Sequence, residues 1–339
     1  MQLYAGIDLH SNNTFIRIID GQDKTKFSKR LPNKMEQILT ALAPYKKRLK
    51  TIAVESTFNW YWLVDGLIDN GYKVQLANPA AIKQYEGLKH TDDRYDAFLL
   101  AHLQRLGILP TGYIYPKQDR GVRDLLRRRT MFVQQRTTQI LSLQSMIGRN
   151  LGVKMPGNEV RKLTPDDAKQ LFDDPNLFLM AKCNIETMHF LKMVVKQIEK
   201  IVKQRAKLRK EYERLLTITG IGTILALTIM FEVGDIGRFK KVGHYSSYSR
   251  CVNSNRLSNG KKKGENNKKN GNRHLAWAYV EAANFMKRYC PLANAFYQRK
   301  TAKKNNSLAI KALSNKICRA SYFVMRDQVA YDAQKLFCS

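Results

Sequence analysis

An α/β domain with a mixed sheet, followed by a mostly helical chain, is the fold class this sequence predicts. Three observations carry it. Short β-rich runs alternate with helical ones up to about residue 115; a heptad rhythm of apolar residues fills residues 116–216; and helical patterning resumes over residues 217–339 with one long polar interruption. We read these as three domains with those bounds.

The first strands are "LYAGIDLH" and "TFIRIID", joined by the turn "SNN". "LKTIAVES" is a nearly continuous apolar run, as a strand covered on both faces requires. A helix follows with Trp60, Leu63, Val64, Leu67 and Ile68 on one face, and Gly71 closes it. "YKVQLAN" is a fourth strand, stopped by Pro79. A hairpin-like start followed by β-α-β gives a mixed sheet. In the second segment Val122, Leu126, Val133, Ile140, Leu143 and Ile147 step by threes and fours or their multiples. Leu191, Val194, Ile198, Ile201, Leu208, Tyr212 and Leu215 keep the same rhythm beyond the loop "GVKMPGNEV". Two such helices predict an antiparallel coiled coil or a dimer seam. In the third segment, "SNGKKKGENNKKNGNRH" reads as an exposed, mobile loop awaiting an anion.

The charge narrows the function. The 339 residues hold 59 Lys and Arg against 28 Asp and Glu, a formal balance of +31. Such a chain favours a polyanionic partner, with nucleic acid ahead of an anionic membrane surface. No apolar run approaches the roughly 18 residues of a spanning helix, so no membrane is expected as a partner. "MQLYAGIDLH" is not a signal peptide. The five cysteines (Cys183, Cys251, Cys290, Cys318, Cys338) are odd in number and lack C-x-x-C spacing, which argues for a reducing compartment and against zinc. The expected location is the cytoplasm of a prokaryote, in association with the nucleoid.

Against that basic background the acids of "KHTDDRYDAFLLAHL" stand out. With Thr91 capping a helix, Asp93, Asp96, Leu100 and Leu103 share one stripe that points at the sheet. Asp92 lies off it and merely complements the helix dipole. Asp8 interrupts an apolar strand and Glu55 ends one. Buried carboxylates must pair, bind metal or take up a proton. Asp8, Glu55, Asp93 and Asp96 converging on one sheet edge would make a hard-oxygen cage for Mg²⁺ or Mn²⁺, the arrangement of metal-assisted phosphoryl transfer. The structural alternative is that each is a strand-end or turn residue. His10 and His90 lie near acids in sequence; one reading makes them partners that support those acids, and the plainer one makes them ordinary core or surface residues.

"GIDLH", "AVESTFNWYW", "ANPA" and "TDDRYDA" resemble the DEDD transposases, the family of Piv-type invertases and bridge-RNA-guided insertion-sequence recombinases. "LLTITGIGTILALTIMFEVGDIGRF" extends the resemblance over nearly the whole chain, with Ser56-Thr57-Phe58 a mild departure after the glutamate. The resemblance implies a RuvC-like, ribonuclease-H-like N-terminal domain with Asp8, Glu55, Asp93 and Asp96 as metal ligands and catalytic residues. It also implies a nucleophilic serine, which falls at Ser258, with Ser254 as runner-up because Asn253 and Asn259 depart from the family motif. It further implies donor and target DNA as substrates, a structured guide RNA, a 5′-phosphoserine intermediate, and a dimer that becomes a synaptic tetramer joining domains of different protomers.

Two basic runs fit phosphate contact: Arg120, Arg123, Arg127, Arg128, Arg129 and Arg136 early in the first long helix, and Lys261, Lys262, Lys263, Lys268, Lys269 and Arg273 after Ser258. Gly220-Ile221-Gly222 before an apolar helix reads either as a phosphate-facing helix start or as a tight packing turn. The rival functions are a RuvC-like nuclease using water, and a non-catalytic RNA- or DNA-binding protein.

Overall fold

The computed structural model describes residues 1–82, 92–206, 209–252, 255–265, 270–303 and 305–338. The chain divides into two compact units, Met1–Lys117 and Gln118–Ser339.

The first unit runs β1 (Leu3–Leu9), β2 (Asn13–Asp20), β3 (Thr25–Pro32), α1 (Met35–Leu42), β4 (Leu49–Glu55), α2 (Trp60–Asp69), β5 (Val74–Ala77), α3 (Pro79–Ile82), α4 (Asp93–Arg105) and β6 (Thr111–Gly112). Its six strands are ordered β3-β2-β1-β4-β5-β6. β1 is antiparallel to β2 and parallel to β4, and β4 is parallel to β5, so the predicted mixed sheet is present. Strand β3 escapes sequence reading because "TKFSKRLP" is an edge strand with a single buried side chain, Leu31. Ile68, expected on the buried face of α2, is exposed instead.

The two faces of the sheet differ. Leu3, Ala5, Ile7 and Leu9 of β1 join Ile52 and Val54 of β4 and Leu63, Val64 and Leu67 of α2 in one core. On the other face Ala53 and Ala77 meet Leu100 and Leu103 of α4. Here the helix lies directly on the strand. A Cβ at Gly6 would stand 2.0 Å from the Ala97 carbonyl oxygen and 2.8 Å from the Ala101 amide nitrogen. Only glycine at that position lets α4 come so close. The far end of α4 is clamped by the turn between β2 and β3. There Asp23, in the left-handed region at φ 63°, accepts from Arg105 Nε at 2.7 Å and Nη2 at 2.6 Å, with His102 Nδ1 at 2.9 Å. Although burial opposes its ionisation, those partners hold the Asp23 carboxyl below its ordinary pKa.

The second unit holds α5 (Lys117–Leu151), whose first residue closes the first unit, then α6 (Gly157–Val160), α7 (Pro165–Leu171), α8 (Pro175–Ala206), α9 (Lys210–Leu216), α10 (Thr223–Val233), α11 (Val242–Tyr248), β7 (Asn255–Ser258), β8 (Lys261–Glu265), α12 (Arg273–Tyr289), α13 (Pro291–Lys303), α14 (Asn306–Asp327) and α15 (Ala333–Phe337). α5 and α8 pack antiparallel, with Arg129 bonded to Glu199 and Ser142 accepting from Asn184. Far along the hairpin, Ile140, Leu143 and Ile147 meet Ala181, Ile185 and Met188. At its other end Val122, Leu126, Ile198 and Val202 belong to the core of the C-terminal helices. The seam on α8 is Leu191, Val195, Ile198 and Val202; Val194 is only partly buried and Ile201 is exposed. The buried positions step by four, three and four, so the heptad rhythm is present, but Val195 and Val202 stand on the seam where Val194 and Ile201 were expected. The expected continuous helix to Leu215 is broken, α9 starting afresh at Lys210, and Leu208 lies outside the described residues.

The basic segment after Arg250 is not simply a loop. β7 and β8 form an antiparallel hairpin with Ser258 opposite Lys261. Its turn is Asn259-Gly260, with φ of 50° and 71°. Positive φ at both central residues is the geometry Asn-Gly favours between twisted strands. Leu275, Ala278, Tyr279, Ala282 and Met286 of α12 pack against Leu313, Ile317 and Tyr322 of α14 beneath α10. At Gly220, before α10, a Cβ would lie 2.5 Å from the Ala282 carbonyl oxygen, so close packing on α12 suffices to require that glycine.

Candidate active site of the N-terminal unit

The alternation of β1 and β4 places the acids. Gly6 pairs with Ala53 and Ile7 with Val54, so one step further Asp8 and Glu55 stand at neighbouring strand ends. Both continue the face on which Gly6 and Ala53 accept α4. Asp8 is 3% exposed. From above, α4 begins at Asp93, and Asp92 caps it by accepting the Tyr95 N–H at 2.8 Å. Asp92 is therefore the cap; Thr91, the expected one, lies outside the described residues. Asp93 and Asp96, one turn apart and half-buried, flank the strand ends.

All four predicted acids come together, in two electrostatic settings. Glu55 is pushed up to about 8, first by burial, then by a hydrogen bond with Asp8 and by the negative charges of Asp8 and Asp96. Asp93 instead accepts from Arg30 Nη2 at 2.5 Å and lies 3.1 Å from His10 Nε2. The same His10 nitrogen is 3.2 Å from Asp8 Oδ2, without the alignment of a hydrogen bond. Asp8, His10 and Asp93 thus offer three ligand atoms within 4.8 Å of one another. His10 is held by its backbone, its carbonyl accepting from Asn33 at 3.0 Å and Asn59 at 2.9 Å.

Sequence reading misses Arg30 and sets His10, weighed as a partner of the acids, second to a core or surface role. For His10 a signal existed: two positions after Asp8 on a strand is the same face. Arg30 carried none, since it arrives on the polar edge strand β3.

A hard divalent cation fits this donor set. Asp8 Oδ2 is sealed from solvent with no hydrogen-bond partner, and Glu55 keeps its proton first because it is buried and then because Asp8 and Asp96 crowd it. Three carboxylates on one small volume are costly unless a cation or protons compensate them.

The predicted basic residues fare differently. Arg120 and Arg123 are buried. Arg123 Nε lies 3.3 Å and Arg127 Nε 2.5 Å from Glu232, an α10 acid that is 2% exposed. Asn272 also donates to Glu232 at 2.7 Å. Burial would raise the Glu232 carboxyl, yet Arg127, Arg123 and Asn272 hold it below its ordinary pKa. Arg129 is bonded to Glu199. Arg120 and Arg123 lie in the interior, Arg127 turns to the buried Glu232 and Arg129 to the half-buried Glu199, so these four do not form the exposed, phosphate-facing row expected of them. Arg136 is half-buried, and its guanidinium is lowered by burial and by Arg161 and Arg129 nearby. Arg128 is exposed, as are Lys261, Lys263 and Arg273 beside the hairpin. Ser258, exposed, ends β7 at the mouth of the turn. Ser254, Lys268 and Lys269 lie outside the described residues, as does the side chain of Lys262.

Comparison with known proteins agrees with this arrangement. Residues 5–149 match the DEDD transposase model of the IS110 group, described as "Transposase". Residues 212–298 match the model described as "Transposase IS116/IS110/IS902 family". The chain is also 24% identical over 314 residues to the transposase for insertion sequence element IS1111A of Coxiella burnetii (strain RSA 493 / Nine Mile phase I), covering 91% of this chain and 82% of that protein. The chain belongs to the IS110 family of DEDD transposases. It is a DNA transposase, and DNA is its substrate. No described helix is long and apolar enough to cross a membrane.

Proposed function

We propose that this transposase cuts and rejoins DNA through a serine nucleophile, with Asp8, Glu55, Asp93 and Asp96 holding Mg²⁺ or Mn²⁺. The observation that carries the reading is the gathering of Asp8, Glu55 and Asp96, where burial and then the neighbouring acids hold the proton on Glu55, and Asp8 Oδ2 has no donor. The sheet, with its second strand antiparallel and acids at the adjacent ends of β1 and β4, supports a ribonuclease-H-like domain. Bound metal supplies neutralisation of charge on the reacting phosphate. Asp8 and Glu55 position it from the sheet, and Asp93 and Asp96 from α4. His10 and Arg30 hold Asp93 in place.

Ser258 is the nucleophile in this reading. Its Oγ attacks phosphorus, the 3′ oxygen leaves with a proton, and the 5′-phosphoserine ester keeps the bond energy until another 3′ hydroxyl displaces the serine. The hairpin carries that serine, exposed, beside its Asn259-Gly260 turn with Lys261 and Lys263 exposed on the next strand. A bridge RNA from the element's own flanks selects the donor and target DNA. A homo-oligomer brings the strands together, and the exposed stripe Leu179, Phe190, Met193 and Ile201 on α8 supports a protein partner for that helix. Within this reading the hairpin region of residues 116–216 acts as a domain between the acid-bearing and serine-bearing ones.

The experiment is sequencing of the RNA that co-purifies with the protein expressed from its native locus, followed by strand exchange on the matching DNA with Mg²⁺. A discrete structured RNA whose loops match the element's ends supports guidance. Asp8→Ala, Glu55→Ala, Asp96→Ala and Ser258→Ala should each abolish exchange while leaving RNA and DNA binding largely intact. A fully active Ser258→Ala protein discards that serine. Cleavage of branched DNA with no covalent protein–DNA adduct would favour a water-using nuclease.

A further inference from the structure

We propose that the hollow between α13 and α14 is a groove for a single strand of nucleic acid, with Lys300 and Lys311 on its rim holding phosphates and Phe296 on its floor taking a base or sugar. The proposal rests on the nucleic-acid-handling reading above and gives it a location outside both the carboxylate site and the serine hairpin.

Sequence supplies the first observation. From Asn284 through Arg326 the chain has ten Lys and Arg and no Asp or Glu. The fold then gathers that charge around a concavity of about 490 Å³, walled by Phe296, Lys300, Leu308, Lys311, Asn315 and Lys316. A second hollow of about 430 Å³ shares Phe296 and Lys300 and adds Arg299 and Lys303. A third, of about 520 Å³, shares Lys311 and adds Lys287 and Tyr297. Shared residues join the three, the second running along α13 and the third along α12 and α14, and no carboxylate lines them among the described residues.

The cations are unlike those around Glu232. Among the described residues, Lys300, Lys311, Arg299 and Lys303 have no carboxylate within ion-pair distance. Lys316 donates to the Leu336 carbonyl at 2.7 Å and lies over the rings of Phe296 at 5.3 Å and Phe337 at 5.5 Å. Burial, followed by the charges of Lys300, Arg299 and Arg319, holds its ammonium below the ordinary lysine value. Positive potential is therefore concentrated in the concavity, and closely spaced anions would relieve it.

Shape selects the strand type. A duplex buries its bases and would touch only the rim lysines. An unstacked base can enter a concavity and lie against an aromatic floor, while the backbone follows the cations. Val252, on the wall of the hollow, is three positions in sequence before the hairpin that carries Ser258.

The test uses the full-length protein and fluorescence anisotropy of labelled single-stranded DNA, single-stranded RNA and duplex DNA over a range of salt concentrations. The double variant Lys300→Ala/Lys311→Ala should lower the log–log salt slope for single strands by about 1.4, two contacts at about 0.7 each. Phe296→Leu, which keeps apolar bulk under Lys316, should weaken single-strand binding about tenfold with the slope unchanged. Thermal unfolding of both variants checks that the helices remain packed. A loss shared by DNA and RNA strands identifies backbone and base as the ligand; a loss confined to RNA identifies the 2′-hydroxyl strand. Wild-type affinity and slope in both variants overturn the groove, as does an equal loss on duplex. A protein inactive in strand exchange but showing these shifts fails the catalytic reading and keeps the groove. An active protein whose variants bind as wild type does the reverse.

Discussion

Glu55 and Glu232 are both shielded glutamates, one in each unit, and their surroundings are opposite. Glu232 meets two arginines and an asparagine amide, and stays ionised. Glu55 meets two aspartates and keeps its proton to about 8. The first arrangement is complete by itself, so it serves the fold. The second is incomplete, so it serves something that arrives from outside. Strongly perturbed carboxylates in a crowded cleft are where function concentrates, whereas a fully paired buried charge holds structure.

The comparison breaks most visibly on stability. Glu232→Ala should lower the stability of the second unit by about 3–5 kcal/mol, because it removes the buried acid that faces the interior Arg123 and the half-buried Arg127. Glu55→Gln should do the opposite above neutral pH, raising the metal-free melting temperature while abolishing transposition. Differential scanning calorimetry of both variants without metal decides it; a fall in both would erase the distinction between the two glutamates.

Next in size is Gly6→Ala. The added methyl must push α4 off β1, at about 1–3 kcal/mol. It should also weaken Mn²⁺ binding, read by titration calorimetry, because Asp93 and Asp96 move with the helix.

The pH dependence sharpens the contrast. Glu55 titrates near 4.5 when unfolded and about 8 when folded, so the native state binds the extra proton. Stability of the metal-free first unit should therefore fall as pH rises from about 4.5 to about 8. Saturating Mn²⁺ should flatten that fall, with proton release on binding largest inside the window. Stability that rises with pH across it would contradict the crowding of the acids. The smallest effect belongs to Arg128→Ala: within about 0.5 kcal/mol on stability, against a clear loss for Arg123→Ala. Equal losses would mean that the two arginines share a structural role.

Much of this was legible in the sequence, for reasons specific to each element. Asp8 and Glu55 interrupt apolar strands, and Asp93 and Asp96 share a helical stripe with Leu100 and Leu103; periodicity alone points them at the sheet. β4 was visible because Ile52, Ala53 and Val54 are apolar on both faces. β3 was not, since an edge strand need not alternate. The arginines of α5 were misread because charge along a sequence says nothing of a buried acid on another helix, and Glu232 hides in an otherwise apolar run. The β7–β8 hairpin was masked by its own polarity, although Asn259-Gly260 was the local signal for it.

The route from Arg123 to Glu232 crosses 109 positions of sequence. During synthesis the start of α5 emerges first; Arg129 meets Glu199 once α8 follows, but Arg123 and Arg127 meet Glu232 only when α10 does. Val122 and Leu126 likewise wait for Ile198, Val202 and the helices beyond to enclose them. The long hairpin can zip its far end through Ile140, Leu143 and Ile185 in the meantime. A nascent chain at that stage carries Arg123 and Arg127 without Glu232, beside apolar surface that the last helices have yet to enclose.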